Sequence, residues 1–350
     1  VILICTGDAS GDRLADALIP ALPPSMPIRA IAGPRLRARG VEAIARAEEV
    51  AALGLVEAAR AIPGVARALR SVSAALDQRP ALVIGVDAPG LMSRIGARCR
   101  ARKIPFVQWV APQVWAWRAG RAAGVGRWAD ELLCLFPWEP MAFRPHQLPC
   151  TFVGHPFAAP RDGRPPRDAP PTVLLAPGSR PAEIERHWPA LRAVARHLQA
   201  ARPEIELVVA VAETVPAAAL TGVRASFTAD FASVRAHAAV VASGTATLEL
   251  AAAGIPQVVV YAVHPLTWAV GRRLVRTPHL ALPNLVARAP VVPEHLQTLD
   301  PAAIAADVLL LLGGAGAQQV AALQPALSSL APDLAIQRVA ARLLAHCGRT

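Results

Sequence analysis

The stretch TVLLAPGSRPAEIE, Thr172–Glu185, passes from an apolar run through a glycine turn into a segment of helical period, and its reading decides the architecture. The run is too short for a helix and is bounded by turn residues, so it reads as a buried strand that feeds a helix. Directly before it lies AAPRDGRPPRDAPP, Ala158–Pro171, which is polar and proline-rich, can continue neither element, and reads as an interdomain linker. The chain therefore restarts its strand–helix grammar at Thr172.

Outward from this stretch the same grammar repeats on both sides. Toward the C-terminus a long helix from about Pro181 to Ala201 precedes IELVVAVA, AVVASGTATLELAAAG and PQVVVYAV, a second series of parallel strands and crossover helices. From Pro301 onward the chain is helical with a Gly-rich break, GGAGA. Toward the N-terminus VILIC, IRAIAG, LVIGVDAP, FVQWV, LLCLF and TFVGHP are short apolar runs separated by Ala/Arg/Leu-rich helical segments. The fold class is α/β, with two open parallel sheets whose ligand cleft is expected at the carboxyl ends of the strands. The expected domains are residues 1–160 and 171–300, followed by C-terminal helices over 301–350. A length of 350 residues fits two domains of about 150 residues each.

Composition bounds the partners. Hydrophobic residues are 54% and charged residues 17%, which excludes a disordered chain and favours buried α/β layers. The net charge of +11 is carried almost wholly by arginine, since Lys103 is the only lysine. Arginine's planar fork suits phosphate, so acidic lipid headgroups and phosphorylated metabolites are the favoured partners. No basic run with interleaved aromatics and no C-x-x-C finger is present, which argues against nucleic acid. Cys5, Cys99, Cys134, Cys150 and Cys347 are scattered and odd in number, fitting a reducing compartment better than a disulfide framework. The histidines form no H-E-x-x-H or facial triad, so neither metal nor cofactor is expected. Leu250–Gly271 lacks charge but is broken by Gly254-Ile255-Pro256 and His264-Pro265, so a spanning helix is not expected there.

The chemistry-bearing residues cluster where strands end. TGDASGD, Thr6–Asp12, follows the first strand; its glycines allow a tight turn and close backbone approach, and Asp8 and Asp12 disfavour a diphosphate, leaving a hydroxyl ligand or a structural turn. GVDAPG, Gly85–Gly90, ends a strand with Asp87, which can serve as a general base or as the N-cap of the helix beginning near Pro89. In the second half, Gly178, Ser179 and Arg180 precede a helix start with Glu183, a set that can neutralise a phosphate. ASGTATLE, Ala242–Glu249, offers Ser243, Gly244, Thr245 and Thr247 around an anion, and Glu249 a turn further can accept hydrogen bonds from a ribose diol. Two phosphate-cradling turns in one domain point to a nucleotide diphosphate. In QWVAPQVWAWR, Gln108–Arg118, Trp115 and Trp117 share a face if extended and are edged by Arg118 and Arg121; this reads as an apolar wall for acyl chains, as a membrane-facing patch, or as core.

Taken in order, TGDASGD, ALGLVE, GVDAPG, APQVWAWR, LFPWE, FVGHP, LAPGSRPAEIE, ASGTATLE and LPNL resemble the motif series of lipid-A-disaccharide synthase, from about Leu3 to Leu285. The resemblance implies a GT-B-like glycosyltransferase with two Rossmann-like domains facing an interdomain cleft. It implies transfer of diacylglucosamine from UDP-2,3-diacylglucosamine to 2,3-diacylglucosamine 1-phosphate, with inversion, giving the β(1→6) lipid A disaccharide and UDP without a metal. Asp87 becomes the candidate base with Asp8 beside it. The UDP set is Gly178, Ser179, Arg180, Glu183, Ser243, Gly244, Thr245, Thr247, Glu249 and Asn284, the last against the uridylyl part. Ser10, Glu57, Gln113, Trp115, Trp117, Arg118 and Glu139 are assigned to the acceptor, its acyl chains or the membrane. A cytoplasmic enzyme held peripherally at the anionic inner leaflet is implied, and a homodimer is compatible with the sequence. Two departures stand out: the family's Gly-Glu is Gly7-Asp8 here, and its Asp-Ala-Pro-Asp-Phe is Asp87-Ala88-Pro89-Gly90-Leu91. The competing readings are a UDP-sugar epimerase of the same architecture and a catalytically weak UDP-lipid-binding protein.

Overall fold

A computed structural model describes residues 1–50, 55–114, 119–166, 168–210, 220, 222–228, 231, 233–265, 267–269 and 277–348, with 55–61 and 119 described in backbone only. The chain forms two compact units, Val1–Pro156 with Leu330–Thr350, and Phe157–Ser329. Each is an α/β layer structure on a parallel sheet.

The first unit holds β1 (Ile2–Thr6), β2 (Ile28–Ala32), β3 (Glu42–Arg46), β4 (Leu82–Val86), β5 (Phe106–Trp109), β6 (Glu131–Cys134) and β7 (Cys150–Phe152), in the spatial order β3-β2-β1-β4-β5-β6-β7. Its helices include α1 (Ala9–Leu18), α2 (Pro34–Ala38), α3 (Leu55–Asp77), α4 (Pro89–Ala101), α5 (Ala122–Val125) and α6 (Glu139–Phe143). Strands β1, β4, β5 and β6 are buried at every position, as expected for a sheet with helices on both faces. Leu3, Ile31, Val72, Leu76, Val83, Ile95, Phe106 and Leu132 belong to one core cluster.

The second unit holds β8 (Thr172–Ala176), α7 (Pro181–Ala201), β9 (Glu206–Ala210), β10 (Ser226–Thr228), β11 (Ala238–Ala242), α8 (Thr245–Ala252), β12 (Gln257–Tyr261), α9 (Leu282–Ala287) and β13 (Glu294–Leu296), with strand order β10-β9-β8-β11-β12-β13. Every strand run and the long helix read from sequence are present. The short edge strands β3, β10 and β13 are not visible in the pattern, because their three to five residues lack an apolar run.

The C-terminal segment departs from the expected single block over 301–350. Helices α10 (Pro301–Leu310) and α11 (Gly316–Ser329) complete the second unit, whereas α12 (Ala335–Cys347) packs in the first. The cause is local chemistry: α12 buries Ala335, Val339, Ala340 and Leu343, and its Arg342 and His346 clamp Glu131 of β6 at 2.7 and 2.8 Å. Pro301–Ser329 is the one helical run among the described residues with the length and hydropathy of a membrane span. The chain breaks helical geometry inside it at Gly314 (φ 119°), and the two halves pack against α7, α8 and α9.

In both sheets the strand order reverses once, between β1 and β4 and between β8 and β11. Such reversal points leave a crevice outside the carboxyl ends of the two central strands.

Candidate functional site

In the first unit, β1 and β4 pair in register to Thr6↔Val86, so the turns after them meet at the carboxyl edge. Gly7 is required there: a Cβ on it would overlap Ala88 Cβ. Asp8 is the N-cap of α1, and its Oδ1 accepts the Gly11 N–H at 2.7 Å. Ser10, in the first turn of α1, is half-buried. Asp12, one turn into α1, is 1% exposed and accepts the N–H groups of Gly33 and Arg35 at 2.7 and 2.8 Å, fixing the turn that starts α2. Burial pushes its carboxyl above the ordinary value, ahead of the hydrogen bonds that pull it down.

Asp87 does not cap α4. That place is taken by Ala88, which has no side-chain cap, while Asp87 Oδ1 accepts the N–H of Ala88 at 2.8 Å. Asp87 and Ala88 both have left-handed backbones, at φ 54° and 43°, and so has Val110 at the end of neighbouring β5, at φ 70°. Three non-glycine residues in this region at one sheet edge represent stored strain, which persists only where surrounding contacts enforce it. The partly exposed carboxylate of Asp87 thus sits at the reversal point on a turn that is held, not relaxed.

Other first-unit candidates serve different ends. Glu139 is 1% exposed and accepts the N–H groups of Leu135 and Phe136 at 3.0 and 3.1 Å, so it organises the end of β6. Gln113 is exposed. Trp109 is fully buried core. Trp128 lies edge-on to Phe106 at 5.9 Å, and Trp138 stacks on Phe136 at 4.9 Å. Trp115, Trp117, Arg118 and the Glu57 side chain lie outside the described residues.

In the second unit, Val241 pairs with Ala176, which brings the turns after β8 and β11 together at the other reversal point. Gly178 adopts φ +124°, closed to side-chain residues, and a Cβ there would stand 2.6 Å from Glu183 Oε2. Arg180 occupies the N-cap of α7 in extended conformation, and Pro181 supplies the first helical residue. Glu183 turns back on this start: Oε2 accepts the Ser179 N–H at 3.0 Å and Oε1 accepts from Arg180 Nη1 at 2.8 Å. Opposite, Gly244 is the N-cap of α8 without a side-chain cap, so the partly exposed start at Thr245 is left to other acceptors. Ser243 Oγ donates to Leu280 O at 3.0 Å, and Thr247 Oγ1 donates to Gly244 O at 2.7 Å, which shapes this turn from within. Glu249 is 5% exposed on α8. Two helix starts and one guanidinium at a single edge favour a polyanion.

Asn284, expected against a uridylyl group, is used internally instead. Its Nδ2 donates to Val292 O and Glu294 Oε1, each at 2.8 Å, and its Oδ1 accepts the Val292 N–H at 2.7 Å. A buried amide with these three bonds has its polar atoms committed to the 280–294 loop. Glu294 completes the loop by accepting the N–H groups of Leu280 and Ala281, both at 3.1 Å.

His187, not singled out in the sequence, is fully buried on α7. Ala262 N–H donates to its Nε2 at 3.0 Å, which places the proton on Nδ1, and Nδ1 donates to Pro177 O at 2.7 Å. The ring ties the turn after β8 to the end of β12, where Tyr261, the chain's single tyrosine, lies 6.5 Å away. The available signal was a polar residue on the apolar stripe Ile184, Trp188, Leu191.

A family model described as lipid-A-disaccharide synthetase matches residues 2–324. The lipid-A-disaccharide synthase of Anaeromyxobacter dehalogenans strain 2CP-C is 38% identical, covering 98% of this chain and 96% of the relative. That of Rhodospirillum centenum is 37% identical, covering 91% and 87%. Among solved structures, the calicheamicin glycosyltransferase CalG4 superposes with a TM-score of 0.64 at 19% identity, covering 100% of this chain and 98% of that one. A UDP-GlcNAc 2-epimerase from Neisseria meningitidis bound to UDP-GlcNAc gives 0.61 at 11% identity, covering 100% of each chain. Acinetobacter baumannii MurG gives 0.53 at 16%, covering 98% and 99%. The fold is that of GT-B glycosyltransferases, and at these identities the structural likenesses bear on fold alone.

Proposed function

Since the chain belongs to the lipid-A-disaccharide synthase family and is a glycosyltransferase of lipid A biosynthesis, we propose that it joins UDP-2,3-diacylglucosamine to 2,3-diacylglucosamine 1-phosphate by a single inverting displacement. The acceptor 6-hydroxyl gives its proton to the Asp87 carboxylate as its oxygen attacks the donor's anomeric carbon. The bond from that carbon to the UDP oxygen breaks on the opposite side, and UDP leaves with the electron pair. The product is the β(1→6) disaccharide. The charge that builds on the diphosphate is met by Arg180 and by the N–H groups at the starts of α7 and α8, donors already oriented before the reaction. Glu249 takes the ribose hydroxyls in this reading.

The observation that carries it is Asp87 itself: a partly exposed carboxylate at the strand-order reversal, on a strained turn. The family assignment favours transfer over epimerisation. The arginine-borne net charge of +11 supports work at an anionic inner-leaflet surface on the cytoplasmic side, where both lipid substrates would be met.

The test is acceptor-dependent UDP release with both lipid substrates. Asp87→Asn is expected to lower kcat by about 10²–10⁴-fold while leaving UDP affinity within about twofold. Arg180→Ala is expected to weaken UDP binding by about 10- to 100-fold, the loss of one charge-assisted contact. UDP release that does not depend on acceptor, or the reverse assignment of the two effects, overturns the proposal.

A further inference from the structure

We infer that Gln108 is the positioning residue for Asp87, its carboxamide holding the strained turn that presents the carboxylate. The inference rests on the reading of Asp87 as the base and extends it to a residue that touches neither substrate.

Gln108 lies in the middle of β5, fully buried between Val107 and Trp109. A polar side chain in so apolar a strand is costly to bury, and here the Nε2 end finds its partners inside the protein while Oε1 is buried without one. Its Nε2 faces three backbone carbonyls: Asp87 O at 3.0 Å, Trp109 O at 3.2 Å and Val110 O at 3.1 Å. Only a donor satisfies three acceptors, which fixes the amide orientation, and two N–H hydrogens must be shared among them. Two of the three carbonyls belong to left-handed residues, Asp87 and Val110. The third, Trp109 O, also accepts the Asp87 N–H at 3.0 Å. One amide therefore collects the carbonyls of both strained turns.

Room for this is built into the neighbouring strand. Gln108 pairs directly with Gly85 of β4, and a Cβ at Gly85 would stand 2.6 Å from Gln108 Oε1. Gly85 thus gives the side chain a path toward the turn two residues on, at Asp87. A glycine inside a buried strand marks close approach of another group, here the amide. Leucine at 108 would fill the volume and leave three carbonyls without their shared donor.

The experiment measures kcat with both lipid substrates, and UDP affinity by calorimetry, for wild type, Gln108→Leu, Gln108→Met, Asp87→Asn and the Asp87→Asn/Gln108→Leu double variant. Gln108→Leu and Gln108→Met are expected to lower kcat about 10- to 100-fold, the scale of an ångström of misplacement, with UDP affinity within about twofold. The double variant is expected to be no slower than Asp87→Asn alone, because misplacing a base already lost costs nothing more. A purely structural glutamine would add its loss to that of Asp87→Asn. Unchanged kcat in the Gln108 variants, additive losses, or unfolding of both Gln108 variants overturns the inference while leaving the base assignment standing. Wild-type turnover in Asp87→Asn removes the base assignment and this inference with it.

Discussion

The two strand-order reversals share a topology and differ in what the chain places there. In the first unit the edge collects carboxylates and backbone strain: Asp8 caps α1, Asp12 holds the turn before α2, and left-handed conformations fall on Asp87, Ala88 and Val110. In the second unit the positive-φ residues of the two turns are glycines, Gly178 and Gly244, and the helix starts at Arg180 and Gly244 carry no side-chain cap. One edge is built from acceptors on an enforced backbone, the other from donors on a relaxed one. The first suits taking a proton from a placed hydroxyl, and the second suits holding a diphosphate that must later leave.

The largest expected effect separates the units by acid. Burial pushes the His155 imidazole of the first unit down to about 4. The unfolded chain, near 6.5, then binds a proton that the folded one refuses, so stability is full above about pH 6.5 and falls as pH drops toward 4, by about 3 kcal/mol. Glu131 adds in the same direction lower down. Burial works to raise it, but the hydrogen bonds from Thr151, His346 and Arg342 prevail and its carboxyl is lowered, so its contribution is lost as pH falls below the carboxylate range. Asp12, raised by burial, opposes this in part. Hydrogen exchange should show first-unit amides losing protection between pH 6.5 and 4.5, and His155→Phe should flatten that loss. An equally steep loss in His155→Phe would sink the assignment.

A smaller effect tests the glycines. Gly7→Ala drives a Cβ into Ala88, and the cost of overpacking, about 1–3 kcal/mol, should appear in first-unit stability and in kcat, with UDP affinity kept. Gly178→Ala forces a side chain onto φ +124° and toward Glu183, and its cost, of order 1–3 kcal/mol, should appear as weaker UDP binding. Swapped phenotypes would erase the distinction between the two edges.

Much of this was legible in the sequence for a physical reason. Buried parallel strands are apolar runs, and turns at their carboxyl ends need glycine, so β1, β4, β8 and β11 and their turns stand out. Helix α7 was bounded by Pro181 and by the end of its apolar stripe. What was not legible depends on partners distant in sequence. Asn284 resembles a ligand contact until Val292 and Glu294 are seen on both sides of its amide. Gln108 and His187 are polar residues in apolar runs, and only the register Gly85↔Gln108 and the end of β12 explain them. The return of α12 to the first unit was hidden too, since it hinges on Glu131, more than 200 positions from Arg342 and His346.

The smallest effect bears on an exception to the comparison, Glu183, a carboxylate at the donor-rich edge. It accepts from Ser179 N–H and Arg180, the groups a diphosphate would use, and its pair with Arg180 is partly exposed, at 37% and 18%. A pair so exposed is worth under about 1 kcal/mol, so a bound diphosphate can displace it at little cost. Glu183→Gln should then tighten UDP by a factor of about 2–5, since the amide competes less well for the guanidinium. The gain should shrink as salt rises, because the removed competitor is a charge near the surface. Calorimetry with UDP at two ionic strengths reads both. A tenfold loss of affinity would mean that Glu183 organises Arg180 as Asp12 organises the turn before α2. In that case the second edge, like the first, depends on an internal carboxylate to hold its shape, and what distinguishes the edges is the strained backbone alone.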